Sequence, residues 1–329
     1  MASENRLIHG DAKEVLASIP EQTIFACVTD PPYNYEFIGH KWNTQEIERR
    51  MERASSPNSK ILVKNIPYGS HLAGGVRNAR WYERVRNNII DYQDWCFGWA
   101  QPLFKSCVPG APVAVFNSTR TAAHVQVALE RAGFYARDIL VYRRHSGIPK
   151  GLNFSAKLRK ENSPDAERWE GWHSCFRNEW EAVVLVQKPL DTNYEINIKN
   201  YGVGLFNTRE RDGGFASNII EGISNRKDKS LADGHVNEKP LVLMERLLKM
   251  LVPKGRNIVI VDPFCGSGTT LLAAKNYGVS YFGIDRDENC IKASRARLRQ
   301  KSDLFSLDNE LSAQWNLVQN ISHTLSYFL

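Results

Sequence analysis

Near its C-terminal end the chain reads Val259-Ile260-Val261-Asp262-Pro263-Phe264-Cys265-Gly266-Ser267-Gly268-Thr269-Thr270. A β-branched run, a turn with two glycines and a helix start follow one another without spacer. That succession is a strand handing over to a helix through a tight loop, a unit that buries both its parts in a layered α/β sheet. Gly266 and Gly268 let backbone approach a ligand, and the helix start offers N–H donors to a carboxylate. Asp285 closes the next predicted strand, 19 residues beyond Gly266. There an acidic side chain can accept hydrogen bonds from ribose hydroxyls. The dinucleotide fingerprint fails because Leu271 stands where its third glycine belongs, which makes a nicotinamide oxidoreductase the weakest of the alternative readings. The phosphate-loop pattern fails as well, since no Gly-Lys-Ser/Thr follows. A nucleoside with an amino-acid tail fits the loop better than a dinucleotide or a triphosphate; a purely structural turn is the alternative.

The rest of the chain repeats the alternation. Thr23–Thr29, Pro112–Phe116, Asp138–Tyr142, Ala182–Gln187, Asn257–Val261 and Ser280–Ile284 read as strands. Asp91–Cys107, Arg120–Arg131, Leu241–Leu251, Thr269–Asn276 and Asn289–Gln300 read as helices, with Trp95, Trp99 and Leu103 on one face of the first. Tyr35–Asn88, Glu161–Asn178 and Asp191–Gly234 break the pattern and are expected to be functional loops or insertions.

The second chemical motif is Asp30-Pro31-Pro32-Tyr33, directly after the first of these strands. A strand ending in Asp-Pro-Pro sets a carboxylate at the carboxyl edge of the sheet, where open α/β folds bind ligands. The prolines fix φ and hold rigid carbonyls, and an aromatic ring follows. Carboxylate, carbonyl and ring suit a planar base with an exocyclic amine, which brings two N–H donors and a π face. A proline-rich turn that merely stops a strand is the bland reading.

Charge bears on the partner. The chain of 329 residues carries +7 at pH 7 and a pI near 9.0. Seven basic residues and one acid lie between Arg137 and Lys160, and five basic residues with no acid between Lys292 and Lys301. The first cluster, interleaved with Tyr142, His145 and turn residues and followed by Trp169 and Trp172, suits nucleic acid; Arg143, Arg144, Lys150 and Lys157 are its candidate contacts. The second reads first as a solvated helix face and only second as a phosphate contact. No apolar run reaches the roughly 20 residues of a membrane span, and the first residues lack the apolar core of a signal peptide. Six scattered cysteines with no CxxC give neither a disulfide framework nor a zinc site, so no metal is expected.

The two motifs in this order resemble the amino-group DNA methyltransferases of the beta class, which use S-adenosylmethionine. In that class the Asp-Pro-Pro-Tyr element precedes the target-recognition region, and a Phe-x-Gly-x-Gly loop lies near the C-terminus. His9-Gly10-Asp11-Ala12 resembles the class's acidic element for the cofactor adenine. His235-Val236-Asn237-Glu238-Lys239-Pro240 resembles its His-Pro-x-x-Lys-Pro element, with Val236 departing from the pattern.

The resemblance implies a permuted, Rossmann-like α/β fold with a seven-stranded, mostly parallel sheet flanked by helices and interrupted by DNA-recognition loops. It divides the chain into 1–34 with the catalytic motif, an inserted loop 35–90, sheet and helices 91–142, a target-recognition region 143–234 that includes one core strand, a cofactor-binding part 235–301 and a tail 302–329. It implies that Asp30, Pro31, Pro32 and Tyr33 hold a flipped base. Asp11, Lys239, Asp262, Phe264, Cys265, Gly266, Ser267, Gly268, Thr269 and Asp285 would serve the cofactor. Asp30 and Asp262 should open into one cleft. An Asp in the first motif position usually accompanies adenine N6 rather than cytosine N4. Double-stranded DNA, a cognate restriction enzyme, a homodimer and a cytoplasmic, nucleoid-associated place in a prokaryote or phage-infected cell follow from the same resemblance. An RNA or protein-glutamine methyltransferase of the same fold and a catalytically silent DNA-binding relative are the other readings.

Overall fold

Ala26–Thr29 and Pro112–Asn117 are buried at every residue, as strands covered on both faces must be. They are β2 and β3 of a computed structural model that describes residues 5–33, 79–144, 152–210, 213–221, 223 and 238–299. The other strands are β1 (Arg6–His9), β4 (Tyr135–Arg143), β5 (Trp180–Gln187), β6 (Ile219–Ile220), β7 (Gly255–Asp262) and β8 (Val279–Asp285). They form one sheet in the order β1-β8-β7-β2-β3-β5-β4-β6. The sheet therefore has eight strands rather than seven. The strands absent from the sequence reading are the four-residue β1 and the two-residue β6, both too short to leave a periodic signature.

The helices are α1 (Ala12–Ser18), α2 (Ala79–Ser106), α3 (Ala122–Arg131), α4 (Phe154–Lys160), α5 (Tyr194–Tyr201), α6 (Leu241–Leu251), α7 (Thr269–Tyr277) and α8 (Glu288–Arg299). α2 packs on both α1 and α3, and α7 on both α6 and α8, and these helices pack against the strands. α2 buries Tyr92, Cys96, Trp99 and Leu103 at helical spacing, so the expected face is real. It begins at Ala79, twelve residues before the expected start, which shortens the expected insertion; residues 35–78 lie outside the described set.

The irregularity expected across Asp191–Gly234 is broken by α5. Asn193 caps it, its side chain accepting from the Ile196 amide, and Gly202 ends it in the left-handed conformation. Both signals are local, but a polar eight-residue helix gives little hydrophobic periodicity. α1 uses the same device, with Asp11 accepting from the Lys13 amide at 2.9 Å. Among the described residues no helix is long and apolar enough to cross a membrane, and no cluster of three or more His, Cys, Asp or Glu is arranged to hold a metal.

Two features of the topology place the site. From β2 the sheet continues one way to β3 and the other way to β7, β8 and β1, so the chain reverses its winding between β2 and β7. Ligands of open α/β sheets bind beyond the carboxyl ends of strands at such a switch point. The second feature is β5, which runs antiparallel to both β3 and β4. Its amino-terminal residues consequently arrive at the edge where the parallel strands end.

β2 and β7 are also joined by side chains. The Thr29 hydroxyl donates to Asp262 Oδ1 at 2.7 Å, the Phe264 amide to the same oxygen at 3.1 Å, and the Thr270 hydroxyl also bonds the carboxyl group. Asp262 is only 3% exposed, and burial pushes its pKa up to about 7 despite these donors. The folded chain thus holds this proton more tightly than the unfolded chain, whose carboxyl titrates near ~3.9. The contribution of this group to stability is therefore greatest in acid and is lost as pH rises through about 7. The Asp262→Asn variant removes this contribution. Its melting temperature should fall less than that of the wild type between pH 5 and pH 8, a difference read by calorimetry.

Candidate active site

A cleft of about 640 Å³ opens at the switch point. Such a volume suits a nucleoside-sized ligand. One half is built around Asp30, which follows β2 immediately. Its side chain is 26% exposed, and its Oδ2 accepts from the Lys239 ammonium at 2.6 Å. Its Oδ1 is buried and has no hydrogen-bond partner among the described residues. Burial raises the carboxyl above its ordinary pKa, and the Lys239 charge pulls the other way.

Lys239 also reaches Glu181 Oε2 at 3.2 Å, and the Tyr33 hydroxyl donates to that same oxygen at 3.2 Å. Glu181 Oε1 accepts from the Arg144 guanidinium at 2.7 Å. Two carboxylates and two cations thus form a closed, balanced set around the Tyr33 ring. The Lys239 ammonium lies 5.2 Å from the centroids of Tyr33 and Phe116, within cation–π range. The Asp-Pro-Pro-Tyr turn is held from below. The Tyr92 hydroxyl donates to the Pro32 carbonyl at 2.9 Å, and Asn117 Nδ2 donates to the Tyr92 oxygen at 2.7 Å. Of the two proline carbonyls the motif offers, one is thereby spent on positioning. Pro31 lines the cleft beside Asp30.

The other half of the cleft is lined by Asp11, Trp95, Phe264, Gly266 and Asp285, with Glu238 between the halves. Asp285 Oδ2 accepts from the Gly266 amide at 2.9 Å and Oδ1 from the Asp287 amide at 2.8 Å. A carboxylate has about four lone-pair sites, so capacity for further donors remains. The Phe264 ring sits against Trp95 and Trp99, with centroids 5.4 and 5.5 Å away, and Trp95 stacks on Tyr92 at 5.8 Å. This aromatic row ties the floors of the two halves together.

The glycines of the loop divide their tasks. Gly266 has φ +51° and nothing within 4 Å of where a Cβ would stand. Gly268 has φ +86°, and a Cβ there would come within 2.8 Å of Ser294 Oγ, so it lets α8 close onto the loop.

The expected site residues therefore separate. Asp30, Pro31, Pro32, Tyr33, Asp11, Lys239, Phe264, Gly266 and Asp285 line one cleft. Asp262 does not open into it; its carboxyl group faces inward to join β2 and β7. Cys265 is buried, its amide donating to the Ile284 carbonyl. The Ser267 and Thr269 hydroxyls accept from Arg297 at 3.2 and 3.0 Å. These residues hold the loop from behind. Lys239, expected at the cofactor, sits on Asp30. Arg144 lines the cleft, whereas Arg143 and Lys157 form surface pairs with Glu221 and Glu161. Lys150 and His235–Asn237 lie outside the described residues.

Sequence reasoning missed Glu181, Tyr92, Glu238 and Arg297. Glu181 stands at the head of a buried apolar run, and only the reversal of β5 carries it to the site. Arg297 belongs to a basic stretch that reads as a solvated face. Its side chain is 13% exposed, with Glu238 at 3.3 Å.

Comparison with known proteins agrees with this geometry. A family model for N6/N4 methyltransferases, described as DNA methylase, matches residues 24–296. Type II methyltransferase M2.LlaDCHI of Lactococcus lactis subsp. cremoris is 34% identical over 299 residues, 89% of each chain. Type II methyltransferase M.HindIII of Haemophilus influenzae is 28% identical over 312 residues, covering 91% of this chain and 97% of that one. Two solved structures share the fold. PvuII DNA methyltransferase (cytosine-N4-specific) has a TM-score of 0.57 at 15% identity, covering 92% of this chain and 89% of that one. TTHA0409 of Thermus thermophilus, complexed with S-adenosyl-L-methionine, has 0.53 at 21% identity, covering 90% and 93%. With an Asp-Pro-Pro-Tyr turn and a glycine loop facing each other across one cleft, and a match over most of its length, the chain belongs to the DNA methylase family of N6 and N4 amino-methyltransferases.

Proposed function

We propose that the protein transfers a methyl group from S-adenosylmethionine to the N6 amine of an adenine flipped out of duplex DNA. The observation that carries this reading is Asp30 Oδ1, a buried carboxylate oxygen without a partner at the switch point of the sheet. A buried acceptor left unpaired costs about 1–3 kcal/mol, and an incoming N–H donor relieves that cost.

The groups around the second half of the cleft suit a nucleoside with a charged amino-acid tail. Asp11 and Asp285 are acceptors for adenine and ribose donors, Gly266 leaves room beside the loop, and Phe264 and Trp95 present apolar faces. Glu238 Oε1, buried and unpaired, is an acceptor for an ammonium group. S-adenosylmethionine would supply there an electrophilic methyl group on a sulfonium centre.

Removing a base from the stack costs a few kcal/mol, and stacking on Tyr33 returns about 1–3 kcal/mol. Asp30 Oδ1 accepts one amine hydrogen and the Pro31 carbonyl the other. Both bonds favour a pyramidal nitrogen whose lone pair is no longer fully delocalised into the ring. Alignment and fixed charges, rather than strong general-base catalysis, account for the acceleration. The Lys239 charge offsets part of the burial that raises the Asp30 carboxyl above its ordinary pKa.

The preference for adenine over cytosine N4 is supported by Asp rather than Ser at the first motif position. Residues 152–178 support the assignment of the target-recognition region within 143–234. There Phe154, Trp169 and Trp172 pack edge to face, Arg168 lies over Trp169, and Phe176 is 99% exposed. Exposed aromatics beside basic residues suit nucleic acid. The Type II names of the relatives support a role as the modifying partner of a restriction enzyme.

Asp30→Ala should lower methyl transfer about a hundredfold or more while calorimetry still detects S-adenosylmethionine binding; normal turnover would remove Asp30 from the mechanism. Digestion of methylated DNA to nucleosides should yield N6-methyladenine by mass spectrometry, and N4-methylcytosine would reassign the target base.

A further inference from the structure

We infer that Glu181 is a positioning residue for methyl transfer, keeping Lys239 from satisfying both oxygens of Asp30; this rests on the reading of Asp30 as the amine acceptor. The Lys239 ammonium lies between Asp30 Oδ2 at 2.6 Å and Glu181 Oε2 at 3.2 Å. With its charge shared between two carboxylates, it bonds one Asp30 oxygen and leaves the buried Oδ1 unpaired. Without Glu181 the ammonium has a single carboxylate to serve, and Asp30 becomes a closed ion pair with no acceptor to offer. Glu181 itself is fixed. Arg144 holds its Oε1 at 2.7 Å, and its side chain is 10% exposed, so it has little freedom to turn away.

The same carboxylate anchors the stacking ring. Tyr33 donates its hydroxyl to Glu181 Oε2, and burial together with the two carboxylates keeps the phenol protonated as that donor. One residue of β5 therefore sets the orientation of two groups from distant parts of the chain. The charges facing Asp30 are Lys239 from the segment before α6, Glu181 from β5, Asp262 from β7 and, through Glu181, Arg144 from the end of β4; Tyr33 of its own turn also faces it. Glu181 opposes ionisation of Asp30 and Lys239 favours it, while the charge on Asp30 in turn opposes ionisation of Asp262.

The test uses the full chain, tritiated S-adenosylmethionine and unmodified plasmid DNA from a methylase-deficient host. In Glu181→Gln, kcat should fall at least about tenfold while the calorimetric affinity for S-adenosylmethionine stays within twofold. The acid limb of the pH–rate profile should move to lower pH, because Lys239 then stabilises the ionised Asp30 unopposed. Glu181→Asp should return part of kcat and move the limb back, and it serves as the test variant if circular dichroism shows that Glu181→Gln does not fold. Wild-type kcat and pH profile in Glu181→Gln overturn the proposal, as does a lower kcat with an unmoved acid limb, the mark of a merely structural role. Undiminished transfer by Asp30→Asn would instead overturn the underlying reading of Asp30.

Discussion

The parallel pairing of β2 with β7 is the constraint on which the cleft depends. Cys27 stands opposite Val261 in that register, so the residues that follow each strand emerge side by side. A register shift of one residue would turn every side chain of either strand to the other face. The Thr29–Asp262 hydrogen bond works with the backbone ladder at this point, joining strands that are 233 residues apart in the chain. A buried carboxyl group in such a place is stabilising only while its donors stay in position. The joint therefore fixes the distance between the glycine loop and the Asp-Pro-Pro-Tyr turn.

Charge around Asp30 follows from the direction of the strands. Parallel strands bring their carboxyl ends to one edge, and among the described strands only β5 brings an amino end there. Its residue at that end is an acid that binds two cations and a phenol. Acid and base are matched across Asp30, Glu181, Lys239 and Arg144, which lets four charged groups sit close together in a partly buried site. The arrangement also explains why a lysine from the segment before α6 ends up on the turn after β2. That segment lines the cleft with Glu238 and Lys239, the first paired with Arg297 of α8 and the second with Asp30.

The glycine loop shows how residues of one motif divide between contact and support. Gly266 and Phe264 meet the cleft, while Gly268, Ser267 and Thr269 meet α8. Arg297 binds both hydroxyls and Glu238, linking the back of the loop to the segment that carries Lys239. The aromatic row from Tyr92 through Trp95 to Phe264 makes a second link along the floor. Positioning is thus distributed over elements from every part of the chain, as a site that relies on alignment requires.

How much of this the amino acids reveal unaided can be judged from particular residues. The alternation of apolar strands and amphipathic helices was legible because burial on both faces and helical spacing are local properties of composition. So were Asp30 at a strand end, the two glycines, and Asp285 after the next strand, since each is defined by neighbours a few residues away. Short elements were not: β6 and α5 have too few apolar residues for a period to register. Nor were the roles of Glu181, Arg297 and Asp262, which depend on what lies opposite them in space. Sequence by itself determined that the chain forms a mostly parallel α/β sheet with a glycine loop after one strand and an Asp-Pro-Pro-Tyr turn after another, because those are consequences of local stereochemistry. Only the tertiary structure decided that β5 runs backwards, that Lys239 sits on Asp30 and that Asp262 turns inward, because pairing direction and burial are settled by contacts between residues far apart in the chain.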